Sequence, residues 1–312
     1  MHWADRIGRR LKLRDLHILL CVVECGSMAK AASQLSVSNP VVSKAISDLE
    51  HTLGVRLLDR SPKGVEPTIY ARALLDRGLV AFDELRQAVK QIEFLADPTV
   101  GEVRIAAPIG IAAGFASVVI DRLFRRHPGI VFHLIARETE MNYRALEERR
   151  VDLVIARIYE PVAEHMHAEV LYDEPHVVAV GARSHWARRR KVRLGELLNA
   201  PWTLPPPDSP QGSLMVEAFR ANGFDVPRAT VVTALGPVRS ALLATGHFLT
   251  IIPDSVARFP AEKTALKVLP IELPTTRRPI GVFTLKNRTL SPVAQLFITC
   301  AREVAESLAK RK

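Results

Sequence analysis

From Ile69 to Ala96 the chain reads as one long helix, and this segment constrains everything around it. Leu75, Phe82, Leu85, Val89, Ile92 and Ala96 follow alternating steps of three and four, interrupted where Gly78 takes a seam position. A sustained seam of that kind implies a helix lying along a partner helix. Asp97, Pro98 and Gly101 break the pattern and mark a hinge. The helix divides the 312-residue chain into two regions with different patterns.

The region before it is helical and short-stepped. Leu16, Leu19, Leu20 and Val23 share one helical face, and Gly26 ends that helix. Ser27 stands at an N-cap position for a second helix bearing Met28, Ala31, Ala32 and Leu35. Ser36 and Val37 form a tight connection. Ser38 is placed to cap a third helix, with Pro40 in its first turn, where no amide partner is lost. Val42, Ala45, Ile46, Leu49 and Leu53 form its buried face, and Gly54 stops it. From Val55 to Thr68, two short strand-like pieces flank Ser61, Pro62 and Gly64, the pattern of a β-wing.

After the hinge, short apolar runs alternate with helical segments. The runs are Val103–Ala107, Ile130–Ala136, Leu153–Ala156, Val177–Val180, Trp202–Leu204, Ala229–Thr233 and Leu249–Ile252. The helical segments are Gly114–His127, Met141–Arg150, Leu214–Asn222, Val238–Thr245 and Pro292–Leu308. This alternation predicts an α/β domain built on a parallel sheet covered on both faces. Pro201 to Pro210 is a loop.

Composition narrows the class. Hydrophobic residues make up 48% of the chain and charged residues 24%, which suits a folded protein of about two domains. The formal net charge of +10 favours an acidic partner such as nucleic acid. Much of that charge sits late in the chain, at Arg188, Arg189, Arg190, Lys191, Arg193, Arg277, Arg278, Lys310, Arg311 and Lys312, where a solvated surface explains it equally well. Three cysteines, Cys21, Cys25 and Cys300, suit a reducing compartment without a disulfide framework. Met1 to Lys12 carries charges but no apolar stretch, so it does not read as a signal peptide, and Ile18 to Val23 is too short to span a membrane. A cytoplasmic protein is expected.

The N-terminal pattern is specific. It runs Gly26-Ser27, Ala31-Ala32, Leu35, Ser38-Asn39-Pro40, Ser43, Ile46, Leu49-Glu50, Leu53-Gly54, Leu57-Leu58 and Arg60. This resembles the DNA-binding region of LysR-type regulators. The chain departs from that pattern at Asn39, Leu58, Pro67 and Ala71, where the family usually has Gln, Phe, Leu and Gly. Gly101 to Ile105, Val151 to Ile155 and Gly246 to Pro253 resemble the family's effector domain, which is similar in fold to periplasmic binding proteins. Leu171 to Pro175, Trp202 to Pro207 and Leu290 to Pro292 resemble a branch typified by a regulator of sugar uptake.

The resemblance implies a winged helix-turn-helix DNA-binding domain over 1–68 and a linker and dimerisation helix over 69–97. A two-lobed effector-binding domain over 101–312 follows. Lobe I covers about 101–172 and 270–312, and lobe II about 173–269. Asn39, Pro40, Ser43, Lys44 and Ser47 are expected in a major groove, where amides pair with adenine and Lys or Arg with guanine. Arg60, Lys63 and Thr68 of the wing are expected at phosphate or in the adjacent minor groove. Arg9, Arg10 and Lys12 either touch phosphate or form a solvated arm. Phe82, Leu85, Val89 and Ile92 are expected to pair two chains, as a homodimer or within a homotetramer.

An effector is expected between the lobes, outside the carboxyl ends of the strands. Pro108, Ile109, Gly110, Thr139, Glu140, Pro210, Gln211, Gly212 and Ser213 are its candidate contacts. Arg157 pairs either with an acidic ligand or within the protein. The effector classes are sugars, sugar acids and aromatic acids, and RNA polymerase is a further candidate partner. No metal site, cofactor or membrane partner is expected. Cys21 and Cys25 read as buried reduced thiols, and His165 and His167 lack companion ligands. Nucleophile elbow, phosphate loop and dinucleotide fingerprint are absent, which weighs against an enzymatic or solute-binding α/β domain with an incidental helical appendage.

Overall fold

A computed structural model describes residues 10–61, 64–137, 139–159, 161–258 and 266–309. The chain divides into two compact units, Met1–Arg86 and Gln87–Lys312.

The first unit begins with α1 (Leu13–Cys25), α2 (Met28–Gln34) and α3 (Asn39–Leu53). Gly26 and Gly54 end α1 and α3 in the left-handed conformation that glycine adopts without steric cost. The Ser27 hydroxyl accepts the Lys30 amide and caps α2. Ser38 takes the N-cap position of α3 but makes no side-chain cap, contrary to the expectation; Pro40 alone supplies the preorganised first turn. Leu16, Leu19, Val42, Ile46 and Leu49 share a core with Ala71 and Leu75. Burying each large side chain contributes roughly 1.5–3 kcal/mol.

The wing is an antiparallel pair, β1 (Leu58–Ser61) and β2 (Gly64–Pro67). Its position is set by two contacts. The Val65 amide donates to the Gly26 carbonyl at 3.0 Å, and Gly64 lies so close that an added Cβ would stand 2.8 Å from that oxygen. The Glu50 carboxylate on α3 accepts the Leu57 and Leu58 amides at 2.8 and 3.3 Å. A long helix, α4 (Ile69–Ala96), follows.

The second unit has two lobes. Lobe I carries β3 (Val100–Ala107), then a helical run made of α5 (Ile109–Ile111), a π-turn at Ala112–Ala116 and α6 (Ser117–Arg126). It continues with β4 (Gly129–Ala136), α7 (Thr139–Glu147), β5 (Leu153–Arg157) and β6 (Met166–Glu174). Lobe II carries β7 (His176–Gly181), β8 (Trp202–Leu204), α8 (Pro210–Ala221), β9 (Ala229–Val232) and α9 (Gly236–Ala244). Then come β10 (Leu249–Pro253), α10 (Asp254–Arg258) and β11 (Leu266–Val268). The chain returns to lobe I as β12 (Arg278–Leu285) and α11 (Pro292–Ala309).

In the second unit the sheets among the described residues are ordered β4-β3-β5-β12-β6 and β11-β7-β10-β8-β9. Both are mixed, which corrects the all-parallel expectation. β12 runs antiparallel to β5 and β6, and β7 runs antiparallel to β10 and β11. The antiparallel members are the strands that enter and leave lobe II, so they run against the βα units. The return also falls later than Leu269, because Leu269 and Leu273 are buried in the lobe II core. Phe115, Leu123, Ile155 and Phe297 anchor the lobe I core, and Trp202 with Phe219 anchors that of lobe II.

Glu50 joins the third helix to the wing through charge-assisted bonds. Glu50→Ala is expected to destabilise the N-terminal unit by roughly 1.5–3 kcal/mol. Urea unfolding followed through that unit's helical signal measures this, and an unchanged midpoint would remove the assignment.

Candidate functional site

The third helix presents two unlike faces. Val42, Ala45, Ile46 and Leu49 are buried, while Asn39, Pro40, Lys44 and Ser47 are exposed and Ser43 is half-buried beside them. Small polar side chains and one ammonium thus occupy the outward face. Ser36, at a φ of 55°, makes the turn that sets α3 against α2. Arg60 is exposed on β1. Lys63, like Arg9, lies outside the described residues.

The Thr68 hydroxyl donates to the Arg56 carbonyl at 2.9 Å and accepts the Ala71 amide at 3.3 Å. It caps α4 and helps hold the wing's exit.

The apolar seam of α4 divides in two. Gly78 packs against the Leu16 side chain, and Phe82 meets the His17 ring edge-on at 5.9 Å. Phe82 is half-buried and packs against its own domain's core. Leu85, Val89 and Ile92 remain exposed, by 49%, 53% and 65%. On another side of the helix Lys90 is buried and pairs with Glu102 and Asp152, each at 3.4 Å.

In the second unit, β3 runs parallel to its neighbours β4 and β5, and β8 to its neighbours β9 and β10. Their carboxyl ends form one edge in each lobe. The two edges meet where the chain crosses at Glu174, Pro175 and His176. Pro253, ending β10, pairs with His176, and Arg278, opening β12, pairs with Glu174. Pro108, Ile109 and Gly110 follow β3, Thr139 and Glu140 open α7 two residues after β4, and Pro210 to Ser213 open α8 beyond β8. The expected segments therefore lie at the facing edges. A Cβ on Gly110 would stand 3.5 Å from Val256 across the lobes.

Several of these residues are already engaged. Arg157 is buried and donates to the Glu174 carboxylate at 2.8 Å and to its carbonyl at 3.2 Å, which resolves the sequence alternatives in favour of an internal ion pair. Ser209, passed over in the sequence, caps α8 by accepting the Gly212 amide at 3.0 Å. Ser213 donates its hydroxyl to the Pro207 carbonyl at 3.3 Å. Gly212 is glycine for packing, since a Cβ there would stand 1.9 Å from the Pro206 oxygen. Gln211 is exposed.

Other residues at this edge carried no sequence signal. Tyr159, just past β5, is 44% exposed, with its phenol raised by burial. His176 and Arg239 are buried side chains at the crossover. Burial, then the Arg157 charge, hold the His176 imidazole well below its ordinary value, so it is neutral. Burial pushes the Glu174 carboxyl up, against the pull of Arg157.

The cysteines are free. Cys21 and Cys300 are buried; Cys25 is only half-buried and donates to the Gln34 side chain at 3.0 Å, a correction to the expected buried pair. Among the described residues no three His, Cys, Asp or Glu side chains gather as metal ligands. His165 instead meets Glu147 at 2.9 Å. No single helix among them is long and apolar enough to cross a membrane.

Residues 96–306 match the family described as LysR substrate binding domain, and residues 13–72 match bacterial regulatory helix-turn-helix protein, lysR family. The chain belongs to the LysR family. It is a DNA-binding transcription regulator with an effector-binding domain of two α/β lobes. It is 26% identical over 304 residues to the HTH-type transcriptional regulator GbpR of Azospirillum brasilense, covering 97% of this chain and 89% of that one. Its fold is that of CbnR, a LysR family transcriptional regulator, at a TM-score of 0.64 and 22% identity, over 95% of this chain and 99% of that one. A full-length OxyR variant from Pseudomonas aeruginosa has the same fold, at a TM-score of 0.67 and 18% identity, over 96% and 98% of the two chains.

His176 gives this regulator an acid-sensitive crossover. Its folded value is depressed, so the unfolded chain binds the extra proton as pH falls below the ordinary 6.5. The stabilisation is complete above that pH and is lost as pH falls toward the folded value. Glu174, with a raised value, acts in the opposite sense. The melting temperature of wild type should therefore drop below pH 6.5 more steeply than that of His176→Asn. Parallel curves from the two proteins would refute the role of His176.

Proposed function

We propose that this regulator reads its operator with the outward face of α3, pairs through α4 and takes its effector between the lobes. The observation that carries the reading is the division of α3 into a buried apolar face and a polar one of Asn39, Pro40, Ser43, Lys44 and Ser47. The helix-turn-helix family match at 13–72 includes all of α3. A helix with a thin polar face and one Lys fits a major groove, where base edges specify and phosphate contacts position. Arg60 and Lys63 of the wing serve phosphate or the neighbouring minor groove.

The functional segments are a DNA-binding domain over 1–68, a linker helix over 69–97 and an effector domain over 101–312. Leu85, Val89 and Ile92 supply the pairing face, in a homodimer or a homotetramer. The effector is a small molecule of the sugar, sugar acid or aromatic acid class, contacted by Pro108 to Gly110, Thr139, Glu140, Gln211 and the start of α8. The protein acts in the cytoplasm, with RNA polymerase as a further partner, and performs no catalysis.

Lys44→Ala should weaken operator binding by roughly 1–3 kcal/mol. If Lys44 reads a base, the loss is confined to the cognate sequence; if it holds phosphate, the loss is uniform across sequences and the salt slope falls by about one. Fluorescence anisotropy over a salt series measures both, and wild-type affinity would defeat the assignment.

Leu85→Asp with Val89→Asp should give a folded protein that light scattering reports at a smaller assembly size and that no longer binds the operator. A double variant of unchanged size and affinity places the pairing face elsewhere.

A further inference from the structure

We propose that the ligand of the interlobe cleft carries a carboxylate, and that Arg239 at the start of α9 is the group that receives it. The proposal rests on the reading that the effector binds between the lobes, and it names the chemical class.

Arg239 lies in the first turn of α9, which follows β9 and so begins at the carboxyl edge of the lobe II sheet. It is 6% exposed, and among the described residues its side chain makes one long hydrogen bond, from Nη1 to the Ile251 carbonyl at 3.4 Å. The Nε atom is buried and, among the described residues, meets no acceptor. Among the described residues no carboxylate reaches it: Glu174, the buried acid of this edge, is paired with Arg157. Among the described residues one positive charge is therefore left without a counter-charge beside β10. A guanidinium stays protonated under all ordinary conditions, so the fold cannot relieve that charge by releasing a proton. Burial of an unpaired ion is strongly unfavourable, and an anion arriving in the cleft removes the penalty.

Two independent features place the anion here rather than at α8. The Leu235 N-cap of α9 offers no side-chain cap, which leaves first-turn amides for a ligand, whereas Ser209 already occupies the Gly212 amide of α8. His176 adds a second polar side chain near enough for the Arg239 charge to act on it; it is 2% exposed, and among the described residues its Nδ1 has no hydrogen-bond partner. Burial, then the charges of Arg157 and Arg239, keep it neutral, so it presents one N–H and one acceptor. The planar fork of the guanidinium matches a carboxylate in two parallel hydrogen bonds. A neutral sugar would leave the charge uncompensated.

The test uses the full-length protein and four probes: benzoate, galacturonate, galactose and sodium sulfate against sodium chloride. Melting temperature is followed in wild type, Arg239→Met, Arg239→Lys and Gln211→Ala. At least one carboxylate should stabilise wild type, and its affinity should fall by at least about 30-fold in Arg239→Met and less in Arg239→Lys. Without ligand, Arg239→Met should melt no lower than wild type, because the variant removes the unpaired charge. If Arg239→Met fails to fold, Arg239→Gln takes its place in the same comparison. Equal responses of wild type and the uncharged variant to both carboxylates and to sulfate, including no response, overturn the proposal. So does galactose binding that the variant leaves unchanged. Carboxylate binding lost in Gln211→Ala but kept in Arg239→Met removes the Arg239 anchor and leaves the cleft intact. Binding untouched by either substitution removes the cleft reading itself.

Discussion

The buried pair of Arg157 and Glu174 is the interaction on which the effector domain's two lobes depend. Arg157 ends β5, and Glu174 ends β6 at the point where the chain leaves lobe I. Glu174 accepts from Arg157 with one oxygen and from the Ser255 amide of α10 with the other, at 2.8 and 3.2 Å. One carboxylate thus ties the edge of the first sheet to the helix that follows β10 in the second. Removing one partner of such a pair costs about 3–5 kcal/mol, because the other charge is left buried. The second crossing is pinned beside it, where the His176 amide donates to the Thr276 hydroxyl at 2.9 Å.

Much of this architecture was legible because its signals are local. The spacing of Leu16, Leu19 and Val42, Ile46, the glycines at 26 and 54, and the turn residues of the wing all act within a few positions of themselves. The long helix was legible for the same reason, over its whole length. The strands that escaped are those whose burial is set by distant partners. β6 alternates half-buried and exposed residues along a sheet edge, so it lacks a continuous apolar run. β12 contains Pro279 and Gly281, which read as breakers; Gly281 in fact permits a bulge where the Glu169 oxygen stands 2.6 Å from where a Cβ would lie.

The candidate sites were legible to a lesser degree. The outward face of α3 followed from its own periodicity. The strand-end segments of the cleft followed from the rule that ligands lie beyond carboxyl ends. What the pattern could not show was which side chains are already engaged. Thr68 caps a helix, Ser213 bonds a carbonyl and Phe82 packs on a histidine, and each of those partners is settled only by folding. Arg239 went unseen for the converse reason: an arginine on a helix reads as a solvated face until its burial is known.

β5 is buried along its full length, and its two ends are held by opposite charges. Asp152 at its start receives Lys90 of the long helix and Arg288, at 3.4 and 3.1 Å, while Arg157 at its finish grips the crossover. Six extended residues span about 17 Å and do not compress in a packed interior. The strand therefore joins the crossover between the lobes to the long helix through a buried ion pair at each end.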